Sequence, residues 1–455
     1  MQNKAVDAIA EKLAQASMPF FVHGNDARLG LLAKEWTLPS QIERDERVRL
    51  LAAKYAAAEQ RLRRLQNQSV SSLLREGAEQ EERQLSIQLE EERASVCAEL
   101  VQAARAILCT VATASRSLLN DEIIEAAVQR ITTAVLDEAG TCPETKLPLL
   151  LKLPELERVI AVGDHKQLKP FTRWKPASSV RGQAGGKRGV CHFYNGRPGS
   201  CRRVGCQFEH RDPLIARGSD PDSIGCGSEP TGFFQRVRAA LPDGAVGTLV
   251  EQYRMHAAIA AFVSATFYDA ALSTPPAIAA ARAAADEQGL WWLSYPEAAA
   301  ESKRGGSKSF MNDIEVATVM AVLRSLEQQR GARSVMVITF YRGQEAQLRR
   351  SLAASGLAES IGDSDGAALR VMTVDQAQGS EADVVILSCV RSNPERELGF
   401  VRNPNRMNVA ISRARERLVV VGDAATLCTD AKWAGLRAAC RVISNAHELP
   451  KMPAK

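Results

Sequence analysis

Two rhythms of apolar positions run along the chain. The first is the short unbroken apolar run bounded by polar or turn residues: 134–136, 159–162, 106–111, 289–293, 334–339 and 418–421. Runs of that length and shape predict strands of a buried parallel sheet. The second is the helical stripe. Val6, Ile9 and Leu13 share one side of an amphipathic helix over residues 1–13. Val48, Leu51, Tyr55, Ala58, Leu62 and Leu65 step by 3, 4, 3, 4, 3, which is a coiled-coil seam. Leu85, Leu89, Val96, Leu100 and Ile107 form a second stripe, with a turn in residues 69–77. The pattern predicts two antiparallel helices over 41–105, a hairpin with the character of a solvated stalk. Asn312 and Glu315 open a further helix running to about residue 329. Residues 273–309 read as an irregular excursion around the 289–293 strand, and residues 424–455 as a closing helix and a short basic tail.

Two of these strands end abruptly in acid. Residues 134–136 run into Asp137 and Glu138, and residues 159–162 into Gly163 and Asp164, with Gln167 three residues on. In open α/β sheets ligands sit just outside the carboxyl ends of the strands. Neighbouring strands therefore deliver Asp137, Glu138, Asp164 and Gln167 to one crevice. Nucleoside-triphosphate hydrolysis uses that set: one carboxylate for Mg²⁺, one to orient and deprotonate water, and an amide to sense the phosphate. Alone, an Asp-Glu pair after a strand is equally a solubilising strand end.

Composition narrows the class. At 455 residues the chain holds two or three domains. With 45% hydrophobic and 24% charged residues it is globular. A net charge of +5 and a pI near 8.7 permit a polyanionic partner without demanding one. No apolar run approaches the ~20 residues that span a bilayer, so no membrane partner is expected. Residues 1–13 lack the apolar core of a signal peptide. Of ten cysteines three are clustered and seven are scattered. That is no disulfide framework, and a reducing compartment, cytoplasm or nucleus, is expected.

The sequence motifs carry a resemblance. DEAG at 137–140, followed by GDHKQLKP at 163–170, resembles motifs II and III of superfamily 1 helicases, in the branch of the nonsense-mediated-decay helicase and senataxin. NKAVDAIAEKL at 3–13 resembles the family's motif Ia and the helix after it. CTVATAS at 109–115 resembles motif Ic, whose hydroxyls, Thr113 among them, either bond sugar–phosphate or cap the following helix. QYRMH at 252–256 resembles the junction into the second domain, with Ala257 where a proline often follows. Asn312 and Glu315 resemble the S-x-x-N-x-x-E element. TFYRGQ at 339–344 resembles motif IV, with Phe340 where proline is common. TVDQAQGSEADVVILS at 373–388 resembles motif V, and NRMNVAISRARERLVVVGD at 405–423 motif VI.

That resemblance implies an α/β fold of two RecA-like, P-loop NTPase-type domains around an ATP cleft. Carried onto this sequence, it implies that Asp137 holds Mg²⁺, Glu138 activates water, Gln167 couples the motifs, and Arg254 and Arg413 stabilise transferred charge. Tyr253 would stack on adenine. Gly379, Glu381 and Arg415 would lie at the nucleotide, and Thr339 and Thr373 at the nucleic acid. An arginine reaching the γ-phosphate is worth roughly 10³–10⁵ in rate. The same family carries a G-x-x-x-x-G-K-[ST] phosphate loop upstream of motif Ia. The run Gly305-Gly306-Ser307-Lys308-Ser309 has the wrong spacing and no strand before it, and reads as a surface loop. The expectation is a first domain incomplete at motif Ia, a truncated helicase inactive by itself. The alternative is a non-catalytic, zinc-finger RNA-binding pseudo-helicase.

One segment stands apart from the helicase motifs. Cys191, Cys201, Cys206 and His210 are spaced C-x9-C-x4-C-x3-H. Three thiolates and an imidazole make a closed tetrahedral Zn²⁺ site, and soft sulfur favours zinc over Mg²⁺ or Ca²⁺. The spacing matches the CCCH-type zinc finger. Phe193, Tyr194 and Phe208 stand beside the ligands among Arg202 and its basic neighbours. Such fingers stack single-stranded RNA bases on aromatics, at ~1–3 kcal/mol per base; the bland reading is a tiny core with solubilising arginines.

The expected organisation is a partial first RecA-like domain over 1–250, bearing the helical hairpin at 41–105 and the finger at 186–212. A second RecA-like domain follows over 251–430, then a helix and tail over 431–455. The expected activity is ATP-dependent translocation on single-stranded RNA, or on DNA or an RNA–DNA hybrid, with ATP, Mg²⁺ and Zn²⁺ as cofactors. RNA-processing or decay proteins would be its partners.

Overall fold

The structure is a computed structural model that describes residues 3–24, 29–68, 71–116, 118–170, 233–295, 301–303, 309–327, 334–357 and 369–453. The chain forms two units. One is Met1–Gly163 with Pro170–Phe234, the other Asp164–Lys169 with Gln235–Lys455.

In the first unit the helix Asn3–Gln15 buries Val6 and Ala10 completely. They pack with Phe20 and Val22 of β1 (Phe20–Val22) and Leu108 of β2 (Ala106–Leu108). These strands are parallel, Phe20 opposite Ala106. Ile107, grouped by periodicity with the stalk stripe, therefore belongs to a strand. The stripes themselves become two long helices, Glu46–Gln66 and Ser72–Ala103. Val48, Leu89 and Val96 are buried between them. Arg47 pairs with Glu99 at 2.7 Å and Arg61 with Glu81 at 2.9 Å, so the helices run antiparallel. These exposed pairs fix register more than stability.

β3 (Thr133–Leu136) and β4 (Arg158–Ala161) are parallel neighbours, Ala134 opposite Val159. Their adjacency follows the sequence pattern; the burial does not. Val135 is 54% exposed and Val159 44%. The reason is structural: this is a two-stranded sheet, and two strands cannot cover both of their own faces.

The second unit is a six-stranded parallel sheet ordered β12-β5-β11-β10-β8-β9. Its strands are β5 (Leu290–Leu293), β8 (Val335–Thr339), β9 (Leu369–Thr373), β10 (Ala382–Ser388), β11 (Ala414–Val421) and β12 (Arg441–Ile443). A separate antiparallel pair is formed by β6 (Glu301–Lys303) and β7 (Phe310–Asn312). Alternation within each long strand divides the apolar side chains between two faces. Trp292, Ile338, Val385 and Val420 pack on one side, with the helices Ala257–Phe267 and Pro404–Ile411. Trp291, Val337, Ile386 and Val419 pack on the other, with the helix Asp313–Glu327. Sheets covered on both faces read as continuous apolar runs, which is how residues 384–387 of β10 and 418–421 of β11 read.

Three details differ from the sequence reading. The excursion over 273–309 contains a helix, Pro276–Ala285, started by prolines in its first turn. The tail returns as edge strand β12 beside β5, so the 289–293 run is an inner strand. β11 begins at Ala414, which puts Arg415 on a strand and Arg413 just before it.

Candidate nucleotide-facing site

The acid corner of the first unit is built on a tight turn. β3 ends at Leu136, and Asp137 and Glu138 follow, both half-buried. Glu138 has φ +51°, the left-handed region that non-glycine residues seldom adopt. Thr141 holds it there, its N–H and its hydroxyl both donating to the Glu138 carbonyl at 2.9 Å. The Ala139 N–H donates to the Val162 carbonyl at 2.8 Å, tying the turn to the end of β4. Gly163 is required at that crossing. A β-carbon there would meet the Gly140 nitrogen at 2.8 Å and the Ala139 nitrogen at 3.0 Å. Backbone strain held by surrounding bonds is a feature of functional turns.

The second unit gathers arginines at the amino ends of β9, β10 and β11. Gln252 folds the turn that aims the first of them. Its amide oxygen accepts from the Arg254 N–H at 3.0 Å and the Met255 N–H at 2.7 Å, and its amide nitrogen donates to the Met255 carbonyl and Thr274. Arg254 and Arg415 then converge on the Glu381 carboxylate from either side. Arg254 also donates to the Ser412 carbonyl at 3.3 Å. Arg370 donates to the Glu381 carbonyl at 2.6 Å. Burial alone would raise the Glu381 carboxyl, but Arg415 and Arg254 outweigh it and hold the group below its ordinary value. Arg254 and Arg415 each remain 36% exposed, so an incoming anion can reach them.

Arg413 is 1% exposed and fully engaged. It donates to the Val409 carbonyl at 3.0 Å, the Ser380 carbonyl at 3.2 Å, Ser412 Oγ at 3.0 Å and Gln167 Oε1 at 3.2 Å. Two residues nominated separately from sequence, 246 positions apart, are thus hydrogen-bonded. Gln167 belongs to the second unit because its loop is clamped there. Asp164 accepts from the Lys166 N–H at 2.8 Å, the Gln167 amide at 2.9 Å and the Tyr268 hydroxyl. Asn408 donates to Tyr268 at 2.7 Å and to the Lys166 carbonyl at 3.0 Å, and Asn405 donates to the Gln167 carbonyl. Burial and the Asp164 charge push the Tyr268 phenol up, so it is a neutral donor. Tyr268 and Arg370 had no signal in the sequence, and Asn405 and Asn408, though inside the motif VI segment, were not among the nominated site residues. The rule that ligands lie at carboxyl strand ends would have missed this cluster, which lies at amino ends.

The remaining nominated residues divide. Tyr253 is 59% exposed, with its hydroxyl donating to Glu251 at 2.7 Å. Gly379, at φ +72°, makes the bend between the short helix Val374–Ala377 and β10. Thr110 caps the helix Val111–Ala114 and its hydroxyl lies 2.9 Å from that of Thr113. Thr339 is fully buried at the end of β8. Thr373 is buried in a capping box with Gln376. Asp137 and Glu138 belong to the first unit, and Asp164 and Gln167 to the second. Cys191, Phe193, Tyr194, Cys201, Arg202, Cys206, Phe208 and His210 lie outside the described residues. Among the described residues no group of His, Cys, Asp or Glu side chains could hold a metal ion, and no helix is long and apolar enough to cross a membrane.

The AAA domain family matches twice, over residues 1–173 and 231–425. The regulator of nonsense transcripts 1 homolog of Arabidopsis thaliana is 28% identical, across 74% of this chain and 23% of its own length. The ATP-dependent helicase upf1 of Schizosaccharomyces pombe is 29% identical, across 78% of this chain and 33% of its own. The probable helicase senataxin of Homo sapiens is 28% identical, across 72% of this chain and 11% of its own. The chain thus spans a third or less of the length of these relatives. Two consecutive AAA domains, each of the RecA-like α/β kind, and relatives of this character make the chain a member of the superfamily 1 helicase proteins, on the branch of the regulators of nonsense transcripts and senataxin.

Proposed function

We propose that this chain provides the two motor domains of an ATP-driven helicase that moves along single-stranded nucleic acid, RNA ahead of DNA or an RNA–DNA hybrid. The observation that carries the reading is the joint geometry of the second unit: Arg413 bonded to Gln167, and Arg254 and Arg415 converging on Glu381. Guanidinium groups around one exchangeable carboxylate form a receptor for phosphate oxygens, since Glu381 can yield its place to a more highly charged anion. Tyr253, exposed beside Arg254, offers a face for the adenine.

The chemistry then follows from charge. Asp137 is a hard-oxygen ligand of the kind Mg²⁺ takes, and the ion when bound would neutralise phosphate charge. Glu138, on its strained turn, orients water and takes its proton. Arg254 and Arg413 meet the charge that develops on the transferred phosphoryl. Gln167, bonded to Arg413, links the state of the phosphate to the loop 164–169. Gly379 and Arg415 shape the nucleotide side of the same cluster. Thr113, Thr339 and Thr373 belong to the nucleic-acid side, where Thr339 and Thr373 act through the backbone they fix.

The finger ligands Cys191, Cys201, Cys206 and His210 fit Zn²⁺ by donor chemistry, and Phe193, Tyr194, Arg202 and Phe208 would contact RNA. The domain limits 1–250, 251–430 and 431–455 and a cytoplasmic or nuclear setting belong to the same proposal. RNA-processing or decay proteins are the partners it implies.

The test is RNA-stimulated ATP turnover, measured on the chain and on a version extended through its upstream coding sequence. In whichever form turns over, Glu138→Gln should lower the rate by about 10²–10⁴, and Arg413→Ala by about 10³–10⁵. Normal turnover in Glu138→Gln would sink the assignment. RNA binding without turnover in either form would favour the non-catalytic reading.

A further inference from the structure

The carboxyl edge of the six-stranded sheet carries a feature that the nucleotide-facing cluster, at the opposite strand ends, does not use. Among the described residues two aromatic side chains are exposed, Tyr253 and Phe400. Phe400 is 61% exposed. It stands on the turn Gly399–Arg402 at one end of a row of rings. Its centroid lies 5.9 Å from Tyr341, and Tyr341 lies 5.6 Å from Phe310 in an edge-to-face contact. Tyr341 follows β8, and Phe310 lies in β7.

Cations line this row. Lys303 Nζ is 4.2 Å and Arg391 Cζ 4.5 Å from the Phe310 centroid. Arg406 Cζ is 5.3 Å from the Phe400 centroid, and its guanidinium bonds Asp375 at 3.0 and 3.4 Å. The turn is rigid. Gly399 has φ +55°, and a β-carbon there would come within 2.3 Å of Arg391 Nη1 and 3.0 Å of the Tyr341 hydroxyl. Arg391 is itself fixed, donating to Glu301 at 2.8 Å. The same Glu301 oxygen accepts from the Ser392 N–H at 2.9 Å and the Asn393 amide at 3.0 Å. The structure therefore props a large apolar ring into water on a buried strut, with a guanidinium at its rim.

We propose that Phe400 is a stacking platform for a base of single-stranded nucleic acid, with Arg406 supplying the phosphate contact. The proposal rests on the helicase reading and adds the residue that grips the strand. An aromatic face stacks on any base, and a cation at its edge pairs with the adjoining phosphate. Charge selects this occupant over a protein surface, because Arg406 can exchange Asp375 for a phosphate. The preset turn means that little freedom is lost on binding.

The test uses the full chain and three probes: a fluorescent oligouridylate, the same strand with abasic positions, and a fluorescent ATP analogue. Phe400→Ala should weaken oligouridylate binding about tenfold, with an unchanged salt slope. It should leave abasic-strand and ATP-analogue affinities as they were. Phe400→Trp should restore the loss. Arg406→Ala should lower the salt slope by about one. Wild-type affinity in Phe400→Ala would overturn the platform alone and leave the face to a protein partner. Equal losses on the intact and abasic strands would also overturn it, since a structural defect, not stacking, would then be the cause. A wild-type chain that binds ATP analogue but no single strand would overturn both the platform and the helicase reading.

Discussion

At the scale of the single residue, the most consequential side chain outside the site is Glu315. It is completely buried at the start of the helix Asp313–Glu327. Its carboxylate accepts from the Tyr295 hydroxyl at 2.9 Å, Ser388 Oγ at 2.6 Å and the Val390 N–H at 2.8 Å. Burial pushes its pKa from 4.5 up to about 7. The Ser388, Val390 and Tyr295 bonds oppose that rise and the Asp423 charge adds to it. The titratable groups facing it are Tyr295, Asp423 and the buried thiol of Cys389. A carboxyl whose folded pKa exceeds its unfolded one binds the proton more tightly in the native state. Its contribution is therefore full below pH 4.5 and is lost as pH rises through about 7. Glu315→Gln, neutral throughout, should remove that decline. Urea midpoints from pH 4 to 8 should differ in slope between the two proteins, and parallel profiles would refute the assignment. The sequence showed Asn312 and Glu315 as the opening of a helix, and that is where they are. It could not show that Glu315 is enclosed, because the enclosing groups come from 20 and 73 residues away.

At the scale of the element, burial and legibility went together only in part. β8 and β11 are covered on both faces and their apolar runs predict strands, and the exposed β3 and β4 were predicted as well, whereas β10, wholly buried inside motif V, was not among the predicted strands. β12 is three residues at the sheet edge with two of them exposed, too short to stand out from a tail. The helix Pro276–Ala285 is mostly alanine, which carries high helix propensity but little apolar contrast. The loop Asp164–Lys169 is the instructive case. Its site residues were visible as a motif, but its membership of the second unit depends on side chains far along the chain. Tyr268 is the centre of that clamp, donating to Asp164 and accepting from Asn408. Tyr268→Phe leaves both partners short of a bond in a half-buried place, at a cost of ~1–3 kcal/mol. Hydrogen exchange at the Lys166 and Gln167 amides should accelerate in this variant, while the β10 and β11 amides keep their relative protection. Unchanged exchange at 166 and 167 would mean that Asn405 and Asn408 hold the loop without the phenol.

At the scale of the whole molecule, the helicase organisation was legible because several individually weak motifs occur in one order. Between the motifs the hairpin was legible from its stripes, and the segment of residues 186–212 lies outside the described residues. Its proposed zinc site can be separated from the fold by an argument about cores. The second unit buries Trp291, Trp292 and Trp433 on a sheet made from residues beyond 289, and the first packs Val6, Phe20 and Leu108 from residues before 109. Among the described residues, neither core holds a group of His, Cys, Asp or Glu side chains that could bind a metal ion. A zinc-dependent module attached to such cores loses its own structure when the metal leaves, because the ligands supply most of its folding energy. The cores have no such dependence. Chelation of the purified chain should therefore release one zinc ion and lower oligouridylate affinity several-fold, while the main thermal transition keeps its midpoint. Cys201→Ser should reproduce both results without chelator. A chain isolated without zinc would remove the CCCH site. Zinc loss with unchanged oligouridylate affinity would keep the site but take Phe193, Tyr194, Arg202 and Phe208 out of RNA binding, leaving the platform at Phe400 and the motor domains to hold the strand.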